Sequence, residues 1–181
     1  MTIIGGIDPG LEGALAILDF HNSLLHLWDT PTVTMRVGDK DRKRIDPEGY
    51  LYALNQQKID NLALEKVHST PNDGHTGAFT FGKTTGVTIG LLVALGIPFS
   101  ETTPAQWKLD LRVPANKDSA RHRASELFPH CAAAWARAMD DGRAESALIA
   151  LHHAINLDVL SDKPFTLGLV NGLPLKRRGK K

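Results

Sequence analysis

Apolar positions along the chain fall into short runs broken by turn signals, with longer helical stretches between them. Residues 3–8, IIGGID, are β-branched and apolar and run into Pro9-Gly10, which predicts a strand ending in a turn. GALAILD at 13–19 predicts a second strand, and LLHLW at 24–28, after His21-Asn22-Ser23, a third, so the chain opens as an antiparallel meander. Residues 30–46 are polar and charged and read as a long loop or a ragged hairpin. Pro47 suits the first position of a helix capped by Asp46, with Tyr50, Leu51 and Leu54 on its apolar face. NLALEKV at 61–67 reads as a buried fourth strand holding one glutamate.

A turn-rich cluster, HSTPNDGHT at 68–76, precedes a long apolar helix expected over 77–95 and stopped by Gly96-Ile97-Pro98. Gly82, Gly86 and Gly90 recur every fourth residue along it and clear one stripe of side chains, where another backbone can approach: a dimer partner or the sheet. A short fifth strand follows at 99–103. Thr103-Pro104 then opens a helix through Trp107 and Lys108. Asn116 or Asp118 caps the next helix, to Leu127, and a last one is expected over 141–157. The order βββαβαβα predicts an α/β fold with a mixed central sheet flanked by helices.

Composition narrows the class. The chain has 181 residues, 42% hydrophobic and 23% charged, which suits one domain with its own core. We expect a single domain over 1–175 and a basic tail over 176–181. A lone cysteine, Cys131, excludes intrachain disulfides and a cysteine-based zinc site, and points to a reducing, cytoplasmic compartment. No apolar run is long enough for a membrane span, so no membrane partner is expected. The net charge is +1, but the tail alone contributes five cations, leaving −4 on the rest. Such a tail suits nucleic acid or is simply a solvated end.

Four acids stand where acids are costly. Asp8 ends an apolar strand, Glu65 lies inside LALEKV, and Asp141 and Glu145 are four apart at the start of the apolar helix ESALIALHHAI. Each has an ordinary explanation: a turn-forming Asp before Pro-Gly, a half-buried salt bridge, a helix cap. One cation would offset all four costs together. Carboxylates without cysteine suit Mg²⁺ or Mn²⁺, and a pair of ions about 3.5–4 Å apart would activate water and stabilise the leaving oxygen of a phosphodiester. Asp8 is the natural bridge between them.

GIDPGLEGALAIL, LALEKVHSTPNDG and DDGRAESALIA, with FTFGKTTGVTIGLLVALGIP and TPAQWK between them, resemble Holliday-junction resolvases of the RuvC type, within the RNase H-like superfamily. The resemblance spans roughly residues 3–156. It implies an RNase H-like fold, a crossover junction endodeoxyribonuclease activity using two divalent metals (Mg²⁺ or Mn²⁺), and a homodimer acting on four-way DNA junctions in recombination and repair. Asp8 matches the first-strand acid, Glu65 the fourth-strand acid, and Asp141 and Glu145 the acids of the last helix. The spacing of four, with Glu last, departs from the usual three and looks more like the bacteriophage and organellar enzymes. An organellar setting is thus open beside the cytoplasmic one. The choice between Asp140 and Asp141 is open too, with Asp141 preferred because it shares a helix face with Glu145.

Lys83, Lys108 and Lys117 are candidate phosphate contacts or plain surface lysines. Phe79 and Phe81 are either core residues or a wedge between bases, as the resemblance suggests. His75 is a candidate proton-transfer group, whereas His152 and His153 read as structural. Competing functions are another RNase H-like nuclease, such as one cutting RNA in a hybrid, and a catalytically silent junction-binding protein. An actin-like kinase would need two lobes, for which the chain is too short.

Overall fold

A computed structural model describes residues 2–66, 68, 74–116 and 118–160. Lys117 and the tail over 176–181 lie outside the described residues.

Seven strands and five α-helices form in the order β1 (Ile3–Asp8), β2 (Ala14–Asp19), β3 (Leu24–Asp29), β4 (Thr32–Val37), β5 (Lys40–Ile45), α1 (Pro47–Leu54), β6 (Asn61–Glu65), α2 (Gly74–Ala94), β7 (Phe99–Thr102), α3 (Pro104–Asp110), α4 (Ser119–Leu127) and α5 (Asp141–Asn156). Two 3₁₀ segments, Pro129–Trp135 and Ala138–Asp140, fill the link before α5. The main sheet runs β3-β2-β1-β6-β7. The meander is antiparallel, and β6 and β7 join it in parallel, so the sheet is mixed as the pattern predicts.

The strand period of two sorts the core onto the two faces of this sheet. Leu15, Ile17, Leu62 and Leu64 pack with Tyr50 of α1 and Leu92 of α2. Ala16, Leu18 and Ala63 point the other way, into a cluster with Trp107, Leu127, Leu148 and Leu151. Small residues on that second face let α5 lie close. A Cβ built on Gly6 would overlap the carbonyl oxygen of Ser146 and the amide nitrogen of Ala150. Gly6 is therefore required by the approach of a helix backbone.

Local signals place the helix starts. Asp46 accepts from the Glu48 amide at 3.2 Å, and Thr103 from the Gln106 amide at 3.3 Å, each with proline at the next position. Asp118 is the N-cap residue of α4 but makes no capping hydrogen bond through its side chain. The stretch 30–46, read from sequence as a loop or ragged hairpin, is a full two-stranded hairpin, with six paired positions from Thr32↔Ile45 to Val37↔Lys40 and Gly38 in the turn at φ +60°. Among the described residues no helix is long and apolar enough to cross a membrane.

Candidate active site

Three acids from three elements converge at one end of the sheet. β1 and β6 run parallel with Ile7 opposite Leu64, so Asp8 and Glu65 occupy the next positions on neighbouring strands. Asp8 follows Gly6 by two and shares its face, toward α5. The close seating of α5 on Gly6 brings Glu145, one residue before Ser146, to the same end.

The electrostatics agree with this convergence. Asp8 keeps some exposed surface, but protein crowds its carboxyl. Burial first, then the nearby Glu65 and Glu145 carboxylates, push its pKa up to about 7, against the Gly10 amide and Lys108, which lower it. Glu65 is buried, and burial raises its pKa too, with Glu145 adding to the effect. Its Oε1 accepts from Trp107 Nε1 at 2.7 Å, a bond to the charged form that offsets part of the burial cost. Lys108, next in α3, places Nζ 2.8 Å from Glu145 Oε1 and 4.9 Å from the Trp107 ring centroid. One cation thus leans on three acids that repel one another.

Asp141 is placed differently. Its Oδ1 accepts from Arg121 Nε at 2.6 Å, and Arg121 also binds Asp118 at 2.5 Å. Glu65 and Glu145, not Asp141, are the acids that raise the Asp8 pKa. Asp140 is buried and fully engaged: Arg137 donates to it from Nη2 at 2.7 Å and from its backbone at 3.0 Å, and Arg143 lies 3.7 Å away. These partners, Arg137 foremost, hold its pKa down to about 2. Asp140 is thus tied into the entry to α5.

Carboxylates alone make a donor set for a hard divalent cation, and mutual repulsion with a raised Asp8 pKa is what such a set shows before charge is supplied. Among the described residues, no three His, Cys, Asp or Glu side chains already stand close enough to hold one ion. Binding would need the carboxylates to draw in and Lys108 to release Glu145.

The remaining candidates are not part of this acid cluster. Lys83 is exposed on α2. Phe79 is 75% exposed and so is not a core residue, whereas Phe81 is half-buried. His75 is exposed at the start of α2. His152 and His153 are buried and tie α5 to its neighbours, with Nε2 3.0 Å from Asp110 Oδ2 and 2.8 Å from Asn61 Oδ1 respectively. Sequence reasoning missed two members of this region: Trp107, whose indole N–H needs a partner once buried, and Arg121, which holds Asp141.

No family model matches the chain, and no curated protein sequence matches it. Solved structures do. The Thermus thermophilus RuvC in complex with Holliday junction substrate superimposes with a TM-score of 0.58 at 16% identity, over 88% of this chain and 96% of that one. A second Thermus thermophilus RuvC structure gives 0.51 at 17% identity, over 87% and 96%. At this identity the likeness concerns the backbone over most of the chain, which has the fold of these RuvC structures.

Proposed function

We propose that this protein is a structure-selective DNA endonuclease that resolves four-way junctions by metal-assisted phosphodiester hydrolysis. The observation that carries the reading is the convergence of Asp8, Glu65 and Glu145 from β1, β6 and α5, with Asp8 pushed up to about 7 by burial first and then by its acidic neighbours. Three carboxylates forced together are costly in a folded protein and useful where a divalent cation is to be held. The fold by itself hosts many functions, so the site bears the argument. The solved RuvC structure of the same fold is a complex with junction substrate, which fits this reading.

Asp8, Glu65 and Glu145 would hold the Mg²⁺ or Mn²⁺ ions, with Asp141 completing the set once it leaves Arg121. Those ions would supply the charge that activates water and stabilises the departing oxygen. The residues' own contributions are separable. Trp107 fixes the Glu65 carboxylate, and Lys108 compensates Glu145 until it is displaced and becomes free to meet phosphate. Lys83 and Lys117 would add phosphate contacts, and the tail over 176–181 would add affinity.

Two matched nicks in a near two-fold junction call for a homodimer. A Cβ built on Gly82, Gly86 or Gly90 meets nothing within 4 Å, so this stripe of α2 faces away from the sheet and is open to a second copy. The test is cleavage of a labelled four-way junction beside duplex and RNA–DNA hybrid controls, with Mg²⁺ and with EDTA. Metal-dependent cutting of the junction in preference to both controls is the expected result. Preferential cutting of the hybrid, or binding without cutting, would overturn the reading.

A further inference from the structure

The β4–β5 hairpin and the first half of α2 face each other across an open groove of about 1080 Å³. That is larger than most pockets that enclose a single small molecule, roughly 300–1,000 Å³. From β4 the alternate residues Val33, Met35 and Val37 line it, each more than 40% exposed. Their cross-strand partners include Arg44, opposite Val33, and Arg42, opposite Met35. Phe79 and Lys83 stand on the α2 wall.

The three arginines of this hairpin and Lys43 divide into two sets. Arg36 is paired with Asp41 at 3.2 Å, and Lys43 with Glu12 at 2.8 Å. Arg42 and Arg44 make no salt bridge among the described residues, and neither does Lys83. The Lys43–Glu12 pair ties the hairpin to the β1–β2 loop, whose first residues follow Asp8. Leu11 and Glu12 of that loop also line the groove. The groove thus reaches the loop that follows Asp8.

We propose that this groove seats an unpaired DNA strand, gripped by Arg42, Arg44 and Lys83 on its phosphates and by Phe79 and Met35 on its bases. The inference rests on the junction-nuclease reading and adds to it the surface that holds the strand at the branch. Apolar side chains alternating with uncompensated cations suit a polyanion with flat apolar faces, which describes a single strand. An apolar protein partner would bury those guanidiniums unpaired, at high cost. A duplex would keep its base faces stacked out of reach of Phe79 and Met35. A junction centre offers bases that can be unstacked.

The test uses full-length protein and three labelled DNAs: a dT12 oligonucleotide, a duplex and a four-way junction. Binding is followed by fluorescence anisotropy across a salt series in Ca²⁺, and cleavage by single turnover in Mg²⁺. Arg42→Ala/Arg44→Ala should weaken dT12 binding about ten-fold or more. It should also flatten its dependence on log salt by about 1.4, at ~0.7 per phosphate contact on a single strand. Phe79→Ala should weaken dT12 binding with the salt slope unchanged. Both variants alter exposed side chains, and unchanged melting temperatures would verify that they fold. Equal affinity and slope for parent and double variant would overturn the groove, as would a loss confined to the duplex. A double variant that binds dT12 normally but fails to self-associate would overturn it in favour of a second copy. Failure of the parent to cut any junction, with dT12 binding still dependent on Arg42 and Arg44, would count against the nuclease reading and not against the groove.

Discussion

Gly6 of β1 lies so close to Ser146 of α5 that the smallest side chain would strike its carbonyl oxygen. That contact sets how far Glu145 stands from Asp8. Gly6→Ala must push the helix backbone away, at a cost of about 1–3 kcal/mol for an overpacked core. It should also cut junction cleavage far more than that loss of stability explains, because the acids separate. Gly5→Ala is the control: its Cβ meets the tip of the Leu62 side chain at 2.7 Å, which can swing aside. Equal cleavage by the two variants under conditions where both are folded would refute the link.

Trp107→Phe removes the neutral donor that Glu65 has at 2.7 Å while keeping most of the packing. The bond favours the charged form, so its loss raises the Glu65 pKa and moves the acid limb of the cleavage profile to higher pH. Bonds to charged groups contribute about 1.5–3 kcal/mol, so cleavage near pH 6 should fall by about ten-fold or more and recover partly at pH 9. A uniform loss at every pH would mean that Trp107 acts only through packing.

Much of this was legible in the chain. Strands β1 to β3, the Asp46 and Thr103 starts with their prolines, and the acids Asp8, Glu65 and Glu145 each carry a local signal. The hairpin does not: KDRKRI in β5 has charge on both faces, since it pairs only with β4 and has no sheet beyond it to impose alternation. PHCAAAW, a 3₁₀ segment, has neither period nor cap. The ambiguity between Asp140 and Asp141 was also beyond local reasoning. Asp141 and Glu145 share a helix face, yet Arg121, twenty residues back on α4, pairs with one of them.

That division can be tested. Asp140→Asn loses the Arg137 partnership that depresses its pKa to about 2. A depressed acid stabilises the fold above its unfolded pKa and loses that effect as pH falls through the folded one. Asp140→Asn should therefore melt lower than the parent at pH 7, with the difference vanishing toward pH 2, while saturated cleavage at 25 °C is kept. Asp141→Asn should abolish cleavage with little change in melting. The reverse pattern would exchange their roles.

Gly86→Leu probes the open stripe of α2. With nothing within 4 Å of its Cβ, the substitution meets no clash inside one chain, and leaving glycine in mid-helix gains up to about 1 kcal/mol. The variant should melt no lower than the parent as a monomer, yet light scattering should show the dimer weakened. A dimer of unchanged affinity would place the interface elsewhere.

Asp8 offers the most direct reading of the acid cluster. Its pKa stands at about 7 when folded and near 3.8 when unfolded, so between these values the folded chain binds the extra proton. Stability is then highest below pH 4 with respect to this group and declines as pH rises to 7, by at most about 4 kcal/mol for a shift of some three units. Asp8→Asn removes the decline: the variant should equal the parent near pH 4 and melt higher than it at pH 8. A divalent cation acts in the opposite sense, since it binds the ionised carboxylates of the folded state alone. Added Mg²⁺ or Mn²⁺ should raise the parent's melting temperature at pH 8, do little at pH 5, and leave Asp8→Asn almost unmoved at both. If Asp8→Asn melts below the parent at pH 8 without metal, neither burial nor the neighbouring acids penalise the Asp8 carboxylate, and the cluster has lost its main claim to be an ion site.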